Sequence, residues 1–309
     1  MKAEQTSLSI WAMLFTCALL WGSSFTITNL TIIHVTPVVL VFMRVSLAAV
    51  ILTIIGIFFR VPLPKTRHDL LLISLLGVLA TALPFSLFFW AQLQITGSLA
   101  SILNATVPIY TVILAQFVIP DERITLAKLF GCIIGAFGVV VTIGFTSFNG
   151  STDLIVPQLA CLLGSLSYAS ANMLARKLSH IPPITITAGQ MTAASLALLP
   201  VLPWVFDLGE ITTAPVEVWY YVVILAVFNT ALPFLLFIHV IKNSSATTAS
   251  LVAFLVPIAA IIIGSTFLGE TLSLNQWAGM GIIATALFII DGRLKLNILQ
   301  MKKAKENTG

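Results

Sequence analysis

A chain of 309 residues that is 59% hydrophobic and only 8% charged, with a mean hydropathy of +1.07, lacks the polar surface a water-soluble domain needs. Its net charge of +4 and pI of about 9.1 are too modest for a nucleic-acid footprint, so the lipid bilayer is its natural solvent. Cys17, Cys132 and Cys161 each fall inside an apolar run, which suits buried thiols rather than a disulfide framework or a metal site.

Taken in order, the apolar runs predict ten membrane spans, at 8–28, 37–59, 70–92, 98–119, 125–147, 154–175, 184–206, 217–241, 246–268 and 273–292. The first is longer than the core of a signal peptide and is followed by no clear small-x-small cleavage site. With the N-terminus placed in the cytoplasm, 14 of the 15 Lys and Arg residues fall at cytoplasmic ends, from Lys2 through Arg60, Lys65 and Arg67 to the tail after Arg293. Outer loops carry acids instead: Asp153, Asp207, Glu210, Glu217 and Glu270. This positive-inside pattern predicts a multi-pass membrane protein with both termini in the cytoplasm.

The chain also contains one stretch twice. Thr81-Ala82-Leu83-Pro84-Phe85 returns 149 residues later as Thr230-Ala231-Leu232-Pro233-Phe234. In the same register Leu87-Phe88 matches Leu236-Phe237, Ala100-Ser101 matches Ala249-Ser250, and Val107-Pro108-Ile109 matches Val256-Pro257-Ile258. One residue out of register, Glu122 pairs with Glu270 and Gly131 with Gly279. Such self-similarity marks a duplication, with one unit at 8–147, a second at 154–292 and a basic cytoplasmic tail at 293–309. Five spans per unit is an odd number, so the second copy enters the membrane upside down. The predicted fold is therefore an all-α integral membrane protein of ten transmembrane helices, arranged as two inverted five-helix repeats around a central cavity. Inverted repeats typify secondary transporters, in which exchanging the conformations of two similar halves alternates access to a site near the midplane. The plainer alternative is that duplication only enlarged a membrane protein.

Arg44 is the only Lys, Arg, Asp or Glu well inside a span, about 10 Å from the outer face at 1.5 Å per residue. A charge at that depth marks a functional site by default. It can anchor a carboxylate on a solute, or tie down backbone carbonyls of a neighbouring helix. Asn104 lies at similar depth and can line a cavity or bond another helix. Trp21, with Ser24 close behind, and Tyr168, with Asn172, occupy matching places in spans one and six, as cavity lining at opposite ends of one pathway or as ordinary packing. Gln190 is a further polar lining candidate. Trp90 and His239 match at the ends of spans three and eight, as gate residues or as an interfacial anchor and a packing residue. Pro84, Pro108, Pro233 and Pro257 predict helix kinks at paired places, serving motion or static shape. Gly131, Gly135 and Gly138 form a close-packing face, either within the monomer or in a homodimer.

The sequence carries no Walker motif, metal-ligand cluster, nucleophile–base pair or intramembrane carboxylate pair. It therefore suggests no catalytic residue, metal or cofactor, and leaves a small-molecule solute and membrane lipid as partners. Uniport, exchange and proton coupling through a group such as His239 stay open.

Together these features resemble the ten-helix, EamA-type members of the drug/metabolite transporter superfamily, over about Leu8 to Arg293. The resemblance rests on Trp21-Gly22, Arg44, Ala100-x7-Pro108 with its repeat Ala249-x7-Pro257, and Glu122 and Glu270 after spans four and nine. Pro120-Asp121-Glu122 departs from the Gly-Glu that the second copy keeps at Gly269-Glu270. The resemblance implies a basket-like bundle exporting or importing small metabolites, such as amino acids or related solutes, in a bacterial cell inner (plasma) membrane; of the two directions, export is the one expected here. A broad-specificity efflux carrier for toxic compounds is the second transport reading. A non-transporting scaffold or lipid-modifying enzyme is the reading from another class.

Overall fold

The computed structural model describes residues 8–118, 126–143, 154–243 and 252–291, and among these the secondary structure is helical, with no strand. Lys2, Pro120-Asp121-Glu122-Arg123, Asp153, Ala249-Ser250 and the basic tail lie outside the described residues.

The first half runs α1 (Leu8–Ile32), α2 (Pro37–Phe58), α3 (Arg67–Gly77), a π-helical turn (Val78–Ala82), α4 (Leu83–Ala91), α5 (Gly97–Asn104), α6 (Val107–Val118) and α7 (Leu126–Ile143). The second runs α8 (Ile155–Lys177), α9 (Pro183–Leu198), two short helices α10 (Leu202–Val205) and α11 (Leu208–Thr213), then α12 (Val216–Ala226), a second π-helical turn (Val227–Ala231), α13 (Leu232–Asn243), α14 (Val252–Leu268) and α15 (Leu274–Asp291). Six helical stretches among the described residues are long and apolar enough to cross a membrane, and Phe15, Ile54, Phe130, Phe137 and Phe267 stand exposed on the outside of the bundle. Lipid tails are the solvent such a surface requires.

Local chemistry sets the ends. Pro37 opens α2 where its missing N–H costs nothing, and the hydroxyls of Thr66 and Thr96 cap α3 and α5 by accepting from Asp69 N and Leu99 N. Two predicted spans differ from expectation. The run 184–206 is helical only to Leu198 in α9, because the chain turns ahead of Pro200 and continues through α10 and α11. The run 98–119 breaks at Ala105-Thr106, so Pro108 sits in the first turn of α6 rather than inside a helix, whereas Pro257 lies within the unbroken α14.

Both π-turns end two residues before the proline of the repeated pentapeptide. Pro84 and Pro233 supply no N–H, so the ladder cannot continue in α-register. Instead, Leu83 N reaches back five residues to Val78 O, and Leu232 N to Val227 O.

Packing follows the duplication. α2 lies against α9 and α7 against α15, each helix meeting its own counterpart. α1 packs on α14 and α13, as α8 packs on α5, α6 and α4; α12 touches α2, as α3 touches α9. Glycines let backbones meet: a Cβ on Gly22 would come 2.6 Å from that of Ala259, and one on Gly138 would come 2.9 Å from Ile283. Gly279 faces Gly138 O and Thr142 in the same seam. Gly135 and Gly138 are thus spent inside the chain, against Ile109 and α15.

Candidate functional site

The two halves enclose a cavity of about 1140 Å³, its mouth included. Trp21, Ser24, Arg44, Asn104, Tyr168 and Asn172 line it, and among the described residues Arg44 is the only charged side chain on its wall.

Arg44 is 1% exposed, and its surroundings account for a buried cation with no acid beside it. Nε donates to Thr230 Oγ1 at 2.5 Å, Nη1 to Ser24 Oγ at 3.0 Å and Nη2 to the carbonyl of Asn229 at 2.6 Å. Asn229 is four residues before Pro233, so its carbonyl is the acceptor that the proline leaves without an α-helical donor. The Phe85 ring lies 4.2 Å from the guanidinium carbon and that of Phe89 5.6 Å, so two ring faces take up part of the charge. Three of five N–H groups are spent; the other two have no hydrogen-bond partner among the described residues. Arg44 thus ties down a carbonyl while still facing the cavity.

Gln190, expected on the cavity wall, lies outside it, at the place in α9 that Arg44 occupies in α2. Its Nε2 donates to Thr81 Oγ1 at 2.7 Å. Thr81 and Thr230 are the first residues of the repeated pentapeptide, so each π-turn is held from the opposite half by one side chain, an amide in one case and a guanidinium in the other. Ser167 adds a bond to the carbonyl of Leu79 at 2.7 Å, and the Asn229 amide donates to Ser23 Oγ at 2.9 Å and to the Leu20 carbonyl.

The aromatic lining repeats as well. Trp21 meets Phe234 and Phe237 edge-on at 5.6 and 5.2 Å, and Tyr168 meets Phe85 and Phe88 at 6.5 and 6.1 Å. Phe85 and Phe88 match Phe234 and Phe237 at the 149-residue offset. Trp90 and His239 each stand two residues past one of these rings, roughly 200° round the helix. Neither lines the cavity; Trp90 is 38% exposed and His239 is exposed.

One end of the cavity is shut and polar. Thr28, 0% exposed, and Gln92, 6% exposed, reach it one turn beyond Ser24 and Phe88, and Thr28 Oγ1 and Gln92 Oε1 have no hydrogen-bond partner among the described residues. Toward the other end, near the basic terminus of α8, the lining residues Thr111, Asn172 and Phe237 are half-buried. Beyond the shut end, the Glu270 carboxylate gathers Asn29 Nδ2 and Gly97 N on Oε1, at 3.0 and 3.1 Å, and Ser98 N and Oγ on Oε2, at 3.0 and 2.5 Å. Gly269, with φ of +64°, turns the chain back to allow this. Glu210 likewise accepts from Thr36 N at 2.9 Å and from its hydroxyl, at the start of α2. Each acid joins elements from the two halves.

Thr28, Gln92, Thr230 and the Phe85, Phe88, Phe89 cluster were not singled out from the sequence. The rings were within reach of it, since spacing of three and four residues puts Phe85, Phe88 and Phe89 on one helical face.

Comparison with known proteins places this geometry. The EamA-like transporter family matches twice, at residues 8–144 and 156–291. An uncharacterized transporter of Archaeoglobus fulgidus is 25% identical over 91% of this chain and 98% of its own. The Escherichia coli inner membrane transporter YedA, also uncharacterized, is 24% identical over 92% and 90%. A "probable terminal-alkyne amino-acid exporter" of Streptantibioticus cattleyicolor is 27% identical over 85% and 86%. A solved crystal structure superposes with a TM-score of 0.68 at 17% identity, covering 94% of this chain and 99% of the other, a likeness of fold. The chain belongs to the EamA-like transporter family, carrying its domain in two copies.

Proposed function

We propose that this protein is a secondary carrier that exports small organic metabolites, amino acids or related solutes, across the plasma membrane. In this reading ten spans form two inverted five-helix repeats, both termini are cytoplasmic, and the repeats exchange conformations to alternate access. The observation that carries it is the matched bracing of the two π-turns, Arg44 on Thr230 and Gln190 on Thr81, on either side of one cavity. Matched contacts of this kind are what a pair of exchangeable halves requires. The half-buried cavity end lies beside basic residues, hence on the cytoplasmic side in this orientation, where an exporter loads. The relative named as an amino-acid exporter supports the solute class and the direction.

Purified protein in liposomes, offered labelled amino acids and dyes, should give saturable flux of at least one amino acid. Loss of that flux in Arg44→Ala protein that still inserts supports the anchor. Saturable flux of dyes alone would favour a broad efflux carrier, the second reading, for which the aromatic lining speaks. No saturable flux of any solute would end the carrier reading. Cysteines placed at the two termini should react from the same side.

A further inference from the structure

Among the described residues Arg44 is the only formal charge on the cavity wall, and two of its N–H groups are unspent. Ser24 and Thr28 are four residues apart on α1, so the unpaired Thr28 hydroxyl lies one turn along from the Ser24–Arg44 bond. Gln92 follows Phe88 by the same step on α4, with Oε1 unpaired, and Asn104 on α5 adds a second unpaired amide oxygen. Buried polar atoms in native proteins are satisfied. What completes these is a ligand offering acceptors to Arg44 and a donor to the two amide oxygens.

Resting on the transport reading above, we infer that the cavity takes carboxylates with a neighbouring hydrogen-bond donor and an apolar, flat tail, and that the donor need not be charged. A carboxylate neutralises Arg44 through charge-assisted bonds. The amide oxygens of Gln92 and Asn104 accept from a hydroxyl as well as from an ammonium. Among the described residues no carboxylate on the wall makes a positive charge necessary. A bare amine would bring a second cation beside Arg44 with nothing to offset it. The tail meets Trp21, Phe85, Phe88 and Phe237. A 2-hydroxy acid is therefore as good a ligand as the corresponding amino acid, and the decarboxylated amine is a poor one.

The test uses the full chain in liposomes and in detergent, with four compounds sharing one ring: phenylalanine, phenyllactate, 3-phenylpropionate and phenethylamine. Binding is read by thermal stabilisation, and transport by competition with the best-carried labelled amino acid. Phenylalanine and phenyllactate should compete within about threefold of each other. 3-Phenylpropionate should be weaker by roughly tenfold, the size of one lost hydrogen bond, and phenethylamine by at least about tenfold. In Gln92→Leu protein the gap between phenyllactate and phenylpropionate should narrow, because phenyllactate loses affinity and phenylpropionate does not. Equal competition by phenethylamine, or acceptance of phenylalanine with exclusion of phenyllactate, overturns the assignment. If another solute is carried and none of the four competes, the assignment falls and the carrier reading stands. If no solute moves at all, both fall.

Discussion

Glu270→Gln isolates one clasp without changing its shape. The carboxylate serves four donors, two on each oxygen, and so joins the turn after α14 to Asn29 on α1 and to the first backbone N–H groups of α5. An amide has one oxygen to give. Turned toward Ser98, it presents an NH₂ group to Gly97 N and Asn29 Nδ2, and two donors then face a donor. Stranding one buried donor costs about 1–3 kcal/mol. Gly97 is buried but Glu270 only half so, and the lower part of that range, about 1–2 kcal/mol, is the expected loss. If the clasp holds this end shut, the same energy shifts the population of molecules open there by roughly 5- to 30-fold. A cysteine at Thr28, 0% exposed at the shut end, reports this after Cys17, Cys132 and Cys161 are replaced. A membrane-impermeant thiol reagent should label it at least about fivefold faster in Glu270→Gln than in the parent. A fall in melting temperature with no change in labelling would refute the reasoning, reducing Glu270 to a cap of α5.

Thr230→Val removes an acceptor from a cation and should cost about 1.5–3 kcal/mol, whereas Thr81→Val removes one from an amide and should cost about 0.5–1.5 kcal/mol, read as unequal shifts in thermal unfolding of purified protein. Gly279→Ala drives a methyl into Thr142 and the Gly138 carbonyl, and should destabilise by about 1–3 kcal/mol, with unchanged solute affinity in the protein that remains folded. His239→Ala should leave flux and its pH profile between about 5 and 8 unaltered, because His239 is exposed and away from the cavity wall.

The place of Arg44 inside an apolar helix and the 149-residue register were legible because each is a matter of counting along the chain. So were Trp21 and Tyr168 as a matched pair. What Arg44 bonds was not. Its partners Thr230 and Asn229 lie 186 and 185 residues away, and only the packing of α2 against the second π-turn brings them near. The π-turns were half legible: proline announces a missing N–H, but the acceptor it strands can be met by a kink, by water or by a side chain from elsewhere. At the second π-turn Arg44 supplies the side chain. Gln190 misled for the same reason, since a polar residue at mid-span reads alike whether it faces a cavity or a neighbouring hydroxyl. Pro200 shortened α9 below the length its hydrophobicity suggested. Trp90 and His239 shared the repeat but not the face, and two residues of helix separate the inside of the bundle from the outside.

Arg44 and Gln190 answer one another from opposite halves, yet only one of them bears a full positive charge. If the two halves exchange conformations as proposed, the two poses differ in where this one charge sits. A membrane potential acts on a cation by up to about 2.3 kcal/mol per 100 mV across the whole bilayer, and not at all on a neutral amide. Any rocking that shifts Arg44 along the membrane normal is therefore felt by the voltage. In the proposed cycle the empty carrier would then favour one pose under a membrane potential, and an anionic passenger that cancels the charge would lift that bias.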